Sequence, residues 1–339
     1  MRWRQDRYMK RPRFLPDNFT LALITVVAIS TVLPARGVAA VGFGYLTDFA
    51  IGLLFFLHGA KLSREAVVAG ATHWRLHLLV IACTFVLFPL LGFALKPLLQ
   101  PLVTPSLYTG IMFLCVLPAT VQSAIAFTSL ARGNVPAAVC SASASTLIGV
   151  FITPVLVGLL VVPHNGVGIS LSALGHIMLQ LMAPFVAGQL LRPWIGGFVK
   201  RHAAGLRLVD QSSILLVVYT AFSAAVIEGL WSHVPPKALI GLVVVCAVLL
   251  GLALFSTTFL SRRLGFQKAD EITIVFCGSK KSLASGVPMA KVLFAAPAVG
   301  AIVLPLMVFH QMQLMVCAVL AQRYATRHLP DTGLRAADR

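Results

Sequence analysis

The stretch that decides the fold reads Phe276-Cys-Gly-Ser-Lys-Lys-Ser-Leu-Ala-Ser-Gly-Val-Pro288, inside an apolar run from near Ile272 to beyond Met289. Each charge at the centre of a membrane helix costs about 3 kcal/mol or more on insertion scales. Glycine and proline weaken the helix and free backbone carbonyls, which membrane proteins tolerate only beside other protein or a water-filled cavity. The sequence therefore predicts that Lys280 and Lys281 lie at a broken helix that forms half of a transporter's binding site.

The composition of the whole chain indicates a membrane protein. Of its 339 residues, 58% are hydrophobic and only 11% are charged, whereas about a quarter are charged in an average soluble protein. Apolar runs of about twenty residues recur along the chain, and this is the length of a membrane-spanning helix. The sequence therefore predicts an all-α polytopic membrane protein. The six cysteines fall within the apolar runs, which favours core packing over disulfides or a metal site.

Ten apolar segments are predicted to span the plasma (inner) membrane, with both termini in the cytoplasm. The cytoplasmic side then carries 21 Lys and Arg residues and the outer side three, as the positive-inside rule requires. The net charge of +17 therefore indicates topology rather than a nucleic-acid partner, and the basic start is expected to contact membrane lipid. The segments are approximately 18–33, 38–59, 76–95, 107–131, 135–162, 169–191, 208–230, 237–260, 270–294 and 299–321.

Ten spans divide into two groups of five, and an odd number in each group inverts the second group relative to the first. Inverted repeats with broken helices at matching positions are a known transporter plan. We expect a basic cytoplasmic tail at 1–16, a first five-helix repeat at 17–162, a second at 163–322 and a cytoplasmic tail at 323–339.

The two broken segments are the fourth of each repeat. Pro118 lies about eleven residues, or roughly 16 Å, from one membrane face, and Lys280 lies about ten residues, or roughly 15 Å, from the other. Both breaks reach the middle of a core about 30 Å thick, where we predict that they cross and share a site. The predicted helix-break residues are Pro118, Gly278 and Gly286, and the predicted substrate- or ion-binding residues are Thr120, Gln122, Ser123, Ser279, Lys280, Lys281, Ser282 and Ser285.

Other polar residues leave two interpretations open. The small and hydroxyl residues of the fifth segment either permit close helix packing or contribute hydroxyls to a cavity. His310, Gln311 and Gln313 either make interhelical hydrogen bonds or line the cavity, and His58 is expected to pack at the membrane boundary. No nucleotide-binding loop, metal-ligand cluster or catalytic triad is recognisable in the sequence, so we expect neither an enzyme nor a cofactor.

The Pro118 break, the Leu130-Ala-Arg-Gly133 run, the Ser-rich fifth segment and the stretch 276–286 resemble the bile acid:sodium symporter superfamily. The last of these is similar to the symporter-like branch that includes the sodium/bile acid cotransporter 7 type. The resemblance covers nearly the whole chain. It implies a core domain of segments three to five and eight to ten, and a panel of segments one, two, six and seven that rocks against the core.

The sodium-binding pattern of that family is incomplete in this chain. Typical members have Pro-Gly-Gly-Thr-Ala-Ser-Asn at the fourth-helix break, whereas Pro118–Ala124 keeps a serine and lacks the asparagine. Two hydroxyl positions of the fifth helix fall on Ala138 and Ala142, and the ninth-helix glutamate has no acidic counterpart beside Lys280 and Lys281. Because two ammonium groups repel sodium, the sequence argues against sodium coupling of the usual kind.

The two adjacent lysines allow several roles. One ammonium could replace a bound cation, a desolvated lysine could load and release a proton, or both could bind an organic anion. The structural alternative is an ion pair with Asp48 or Glu228. We predict a secondary transporter of a small, anionic solute that works by alternating access, with Na⁺, H⁺ or no coupling ion left open. The alternatives are a membrane regulator with this fold, for example in calcium handling, and an ion-coupled carrier of another solute.

Overall fold

The computed structural model describes residues 18–61, 73–99, 101–161 and 171–327, and these ranges contain helices and connectors but no strand. The predicted basic tail 1–16 lies outside them. In chain order the helices are α1 (Asn18–Val32), α2 (Gly37–Lys61), α3 (Trp74–Ala94), α4 (Lys96–Leu99), α5 (Pro105–Val116), α6 (Gln122–Leu130), α7 (Val135–Val161), α8 (Leu171–Arg201), α9 (Ala203–Ile227), α10 (Leu230–His233), α11 (Pro236–Arg263), α12 (Lys268–Gly278), α13 (Leu283–Leu293) and α14 (Ala296–Arg327).

Six helices in the described part of the chain are long and apolar enough to cross a membrane, namely α2, α3, α7, α9, α11 and most of α14. The shorter helices α1 and α5 are also apolar. In water such surfaces would be strongly unfavourable, whereas lipid accepts them. The prediction of an all-α, polytopic membrane protein is confirmed.

Helix α3 contains a π-helical turn at Cys83–Leu87. The backbone N–H of Phe88 donates five residues back to the Cys83 carbonyl instead of four residues back to Thr84. The next residue, Pro89, has no N–H to donate. The carbonyl of Thr84 therefore has no donor within its own helix and is available to another element.

Two pairs of short helices, α5 with α6 and α12 with α13, run in opposite directions. The loop after α6 contacts the start of α12, because the Asn134 N–H donates to the Ala269 carbonyl (3.1 Å) and its side-chain amide donates to Asp270 (2.8 Å). On the other side of the breaks, the Phe113 ring of α5 packs edge-on against Phe294, just after α13, at 5.2 Å between centroids. The two interrupted helices are therefore antiparallel.

The remaining helices enclose these pairs from two directions. Helices α3, α7, α11 and α14 pack directly on the interrupted helices. Helix α2 packs along α8, and α9 packs against α1 and α2. Helix α9 also contacts α13 and α14, so it joins the second set of helices to the first.

Two glycines allow α2 and α8 to cross at backbone contact distance. A Cβ atom on Gly59 would lie 2.0 Å from the carbonyl oxygen of Phe185, and one on Gly188 would lie 2.0 Å from that of Phe56. Small residues at helix crossings are the usual means of close packing in membranes. The crossing therefore excludes any side chain larger than a hydrogen atom at these positions.

The substitution Gly59→Ala is expected to destabilise the protein, because the helices must separate to admit the new methyl group. Overpacking of this kind typically costs about 1–3 kcal/mol. The matched control is Gly52→Ala on the same helix, where the added Cβ meets no atom within 4 Å. Thermal unfolding in detergent should show a lower Tm for Gly59→Ala only; equal values for the two variants would contradict the proposed crossing.

Candidate functional site

The two interruptions, at 117–121 and 279–282, lie against each other. The backbone N–H of Ser282 donates to the carbonyl of Pro118 at 2.9 Å, which joins the two breaks directly. The backbone N–H of Ala119 donates to the hydroxyl of Ser145 on α7 at 3.0 Å. The breaks are thus connected to each other and to α7 through their own backbone groups.

The side chain of Lys281 holds the first break together. Its ammonium donates to three carbonyl oxygens, those of Thr84 (2.7 Å), Cys115 (2.8 Å) and Leu117 (2.8 Å). An ammonium has three N–H groups, so these bonds use all of them. The charge also lies 4.2 Å from the centroid of the Phe88 ring, and the whole residue is buried.

These bonds complete the hydrogen bonding at the end of α5. The Leu117 N–H donates to the Leu114 carbonyl (3.3 Å), and the Thr153 hydroxyl donates to that of Val116 (2.9 Å). With the donors named above, each carbonyl from Leu114 to Pro118 has a partner. Because the carboxyl end of a helix carries partial negative charge, an ammonium is well suited to this position.

Gln313 of α14 supports the second break. Its side-chain oxygen accepts from the backbone N–H of Lys281, and its side-chain nitrogen donates to the Lys281 carbonyl, both at 2.9 Å. The same nitrogen also donates to Nδ1 of His310 at 2.8 Å. Of the two interpretations left open for Gln313, the structure shows the interhelical hydrogen bond.

Lys280 is also fully buried, but its ammonium has fewer contacts. It donates to the Ser123 hydroxyl at a long 3.3 Å, and that hydroxyl donates to Thr120 at 2.9 Å. The ammonium lies 4.4 Å from the centroid of the Phe127 ring and 5.7 Å from that of Phe276. Aromatic faces attract cations, and the attraction is larger where water is excluded.

Neither lysine forms an ion pair with a carboxylate of the described residues. The ion pairs found there join Lys61 to Asp210, and Arg262 and Lys268 to Glu271. The two carboxylates considered as partners, Asp48 and Glu228, are therefore not bound to Lys280 or Lys281. Carbonyl dipoles, a hydroxyl and aromatic rings surround the two charges instead.

A cavity of about 350 Å³ lies beside the junction of the breaks. Five of the predicted binding residues line it, namely Thr120, Gln122, Ser123, Ser282 and Ser285. Ser143 and Thr146 of α7 add hydroxyls, so at least part of the fifth segment faces the cavity. The three other predicted residues, Ser279, Lys280 and Lys281, are fully buried and lie behind this wall.

The predicted helix-break residues occupy different positions around the interruptions. Pro118 lies within the first interruption, and Gly278 is the last residue of α12. Gly286 lies inside α13, where an added Cβ would come within 2.5 Å of the side chains of Leu117 and Leu306. Gly286 thus permits close packing of α13 rather than interrupting the helix.

The opposite wall of the cavity contains polar residues that sequence reasoning missed. His58 and Lys61 come from the end of α2, and Arg207, Asp210 and Gln211 come from the start of α9. The signal for α9 was present in the sequence, because Arg207-Leu-Val-Asp-Gln211 introduces three polar residues into the first turns of an apolar helix. Their side chains face the cavity because α9 packs against α2 rather than lipid.

The cavity continues into a wider opening of about 1400 Å³. Lys61, Gln122 and Arg207 line both spaces, and Ala126 of α6 lines the outer one. The opening therefore lies on the side of the protein where α6 ends. Four cationic side chains surround it, namely Lys61, Arg192, Lys200 and Arg207.

An apolar helical protein in which two antiparallel broken helices join beside a polar cavity is of the membrane-transporter class. Comparison with known proteins agrees: the sequence profile of the SBF-like CPA transporter family matches residues 17–326, and the chain belongs to this family. The resemblance to bile acid:sodium symporters is thereby confirmed. Because this is a family of transporters, the expectation that the chain is not an enzyme is also confirmed.

Individual relatives cover most of the chain. Uncharacterized protein PA2026 of Pseudomonas aeruginosa is 72% identical over 319 residues, which are 94% of this chain and 96% of the relative. YfeH of Escherichia coli (strain K12), a candidate symporter, is 60% identical over 316 residues, or 93% and 95% of the two chains. Sodium/bile acid cotransporter 7 of Rattus norvegicus is 28% identical over 274 residues, 80% of each chain.

The substitution Lys281→Met is expected to destabilise the protein much more than Lys280→Met. The first leaves three buried carbonyls without a donor, at about 1–3 kcal/mol each, partly offset by removal of a buried charge. The second loses one long hydrogen bond and two aromatic contacts. Thermal unfolding in detergent measures both; an equal loss of Tm would show that the carbonyl contacts are unimportant.

Proposed function

We propose that the protein is a secondary transporter that moves a small organic anion across the membrane by alternating access. The observation that carries this proposal is the cavity, whose wall on one side is the junction of two broken helices and whose opening is surrounded by four cationic side chains. Transporters commonly bind their substrates where discontinuous helices meet. Sites with concentrated positive charge attract anions.

Ten spans in two inverted repeats, 17–162 and 163–322, belong to this proposal, with α5–α6 and α12–α13 as the fourth span of each. Two contacts between residues far apart in the sequence support the assignment of the loops to the two membrane faces. Arg75 at the start of α3 donates to the carbonyl of Leu264 after α11 (3.4 Å), while Trp231 after α9 donates to Thr31 at the end of α1 (3.2 Å). The first contact lies on one side of the membrane and the second on the other.

The same proposal divides the protein into two moving parts. The core domain consists of α3, α5–α7 and α11–α14, and the panel consists of α1, α2, α8 and α9. The packing of α2 on α8 and of α9 on α1 and α2 supports this division. The cavity lies between the parts, so that rocking of the panel would close one opening and create another.

The described conformation is proposed to be open to the cytoplasm. The cavity opening lies on the side that carries most of the basic residues, which the positive-inside rule assigns to the cytoplasm of a plasma (inner) membrane protein with both termini inside. On the opposite side α9 packs closely against α14, since a Cβ on Gly300 would lie 2.6 Å from the Cβ of Ala225. This contact is the proposed outer gate.

Two helix N-termini support the choice of an anionic solute. Helix α6 begins at Gln122 and α13 begins at Leu283, and both residues line the cavity. The first turn of a helix has free N–H groups and partial positive charge, so it attracts anions. Together with Lys61 and Arg207, these positively charged helix ends outweigh Asp210, the one carboxylate among the described residues of the cavity wall.

Lys281 is proposed to take the place of a bound sodium ion. It binds backbone carbonyls at the first break, which are oxygen ligands of the kind that a hard cation uses. The two fifth-helix positions that carry hydroxyls in typical members, Ala138 and Ala142, are fully buried in an apolar cluster. Transport by this chain would then need no sodium, in contrast to what the name of the rat relative, sodium/bile acid cotransporter 7, says of that protein.

Flux in proteoliposomes tests the proposal. With taurocholate and a panel of small carboxylates as probes, the protein should accelerate the entry of at least one anion, and removal of the sodium gradient should leave the rate unchanged. Lys280→Met should lower the flux tenfold or more while the protein remains folded, because it removes the charge beside Ser123. No flux above that of empty liposomes would favour a regulatory membrane protein instead.

The accessibility of an introduced cysteine tests the direction of the opening. In Gln122→Cys, a membrane-impermeant thiol reagent should react at least tenfold faster in inside-out than in right-side-out vesicles. Leu102→Cys, at an exposed position at the opposite end, should show the reverse preference. The native cysteines in the structure are buried, so their background reaction is expected to be low. Equal rates for both vesicle types would contradict a cytoplasmic opening.

A further inference from the structure

The cavity wall formed by α2 and α9 contains a compact ionisable cluster of His58, Lys61 and Asp210. The Lys61 ammonium is paired with Oδ2 of Asp210, and both side chains line the cavity with His58. The second carboxylate oxygen of Asp210, Oδ1, is buried and has no hydrogen-bond partner among the described residues. A buried carboxylate oxygen without a donor is costly, so the cluster can accept one more hydrogen.

His58 is the group in this cluster that can supply that hydrogen. Its Nδ1 lies 2.8 Å from the carbonyl oxygen of Leu54. A carbonyl only accepts, so Nδ1 carries the hydrogen, and the neutral ring has its lone pair on Nε2. The ring interacts electrostatically with both Asp210 and Lys61. Nε2 is therefore where a second proton would bind.

The other charged groups that the structure describes around the cluster are cationic. Arg207 lies one turn before Asp210 on α9, and Arg192 and Lys200 of α8 lie at the cavity opening. Across the cavity, His310 of α14 accepts at Nδ1 from Gln313. Helix α1 and the start of α13 contribute no charged residue to the cavity. Among the described residues that line either space, Asp210 is the one carboxylate.

We infer that His58 binds a proton that enters the transport cycle together with the anion, an inference that rests on the proposed transport function. When His58 is neutral, Asp210 holds Lys61. When a proton from solution binds Nε2, the imidazolium shares Asp210 and Lys61 is released to the cavity. Lys61 and Arg207 then bind the carboxylate or sulfonate of the solute. One proton and one negative charge cross together when the panel rocks.

The test measures the charge of the cavity without a substrate. In Gln122→Cys, two methanethiosulfonate reagents, one with a sulfonate and one with a trimethylammonium group, are compared. The same thiolate attacks the sulfenyl sulfur of either reagent and displaces methanesulfinate, so the ratio of the two rates cancels the ionisation of the thiol. Between about pH 8 and about pH 5, as His58 takes up its proton, the ratio of the sulfonate rate to the trimethylammonium rate should rise about fivefold.

Variants of the cluster identify the source of that rise. His58→Gln should keep the ratio at both pH values as small as it is in the parent protein at the higher pH. His58→Arg should keep it at both pH values as large as it is in the parent protein at the lower pH. Asp210→Asn should raise it throughout, because the carboxylate no longer competes for Lys61. Ser129→Cys, an exposed position at the end of α6 outside both cavity linings, is the matched control and should show no rise.

Two results would overturn the inference: a ratio independent of pH in the Gln122→Cys protein, or the same rise after His58→Gln. These results are separable from failure of the transport proposal. If flux were observed but the ratio of the reagent rates did not depend on pH, His58 would have no part in the cycle and the transport proposal would still hold. Where flux is measured, an inward proton gradient should accelerate it several-fold in the wild type but not in His58→Gln.

Discussion

The structure depends on one buried ammonium group. A helix that stops within the apolar part of a membrane protein leaves carbonyls that water cannot reach, and each needs a donor. Lys281, from one break, supplies donors to two carbonyls at the end of α5 and to Thr84, whose carbonyl the π-helical turn of α3 leaves free. Because the acceptors lie on α3 and at the end of α5 while the donor lies on the second break, these three elements must assume their positions together.

Gln313 gives the same junction a second constraint. By bonding both backbone groups of Lys281, it fixes the peptide from which the ammonium extends. A side chain held at both ends has few alternative conformations, so the junction is expected to be rigid. Motion would then be confined to the other wall of the cavity. In that wall α2 crosses α8, and Gly59 and Gly188 bring the two backbones into contact. The two helices are therefore expected to move as one body.

The two interruptions could be predicted from the sequence because proline, glycine and paired lysines violate the composition of a membrane helix. The direction of the side chains could not. At 279–282 the backbone is not helical, so periodicity does not indicate which residues face the cavity, and Lys280 and Lys281 lie behind its wall. Asp210 was missed for another reason: its ion pair joins residues 149 positions apart, and only tertiary packing brings them together.

A tethered cation differs from a bound ion in one respect that constrains the mechanism. Sodium can dissociate on one side of the membrane and return on the other, so its gradient can drive a cycle. Lys281 remains attached, and its charge is conserved in every state unless the ammonium loses a proton. It therefore cannot leave on one side of the membrane and return on the other as a dissociating ion does. Under the transport proposal, we assign coupling to a group that contacts the cavity, and the ionisable cluster on α2 and α9 is such a group.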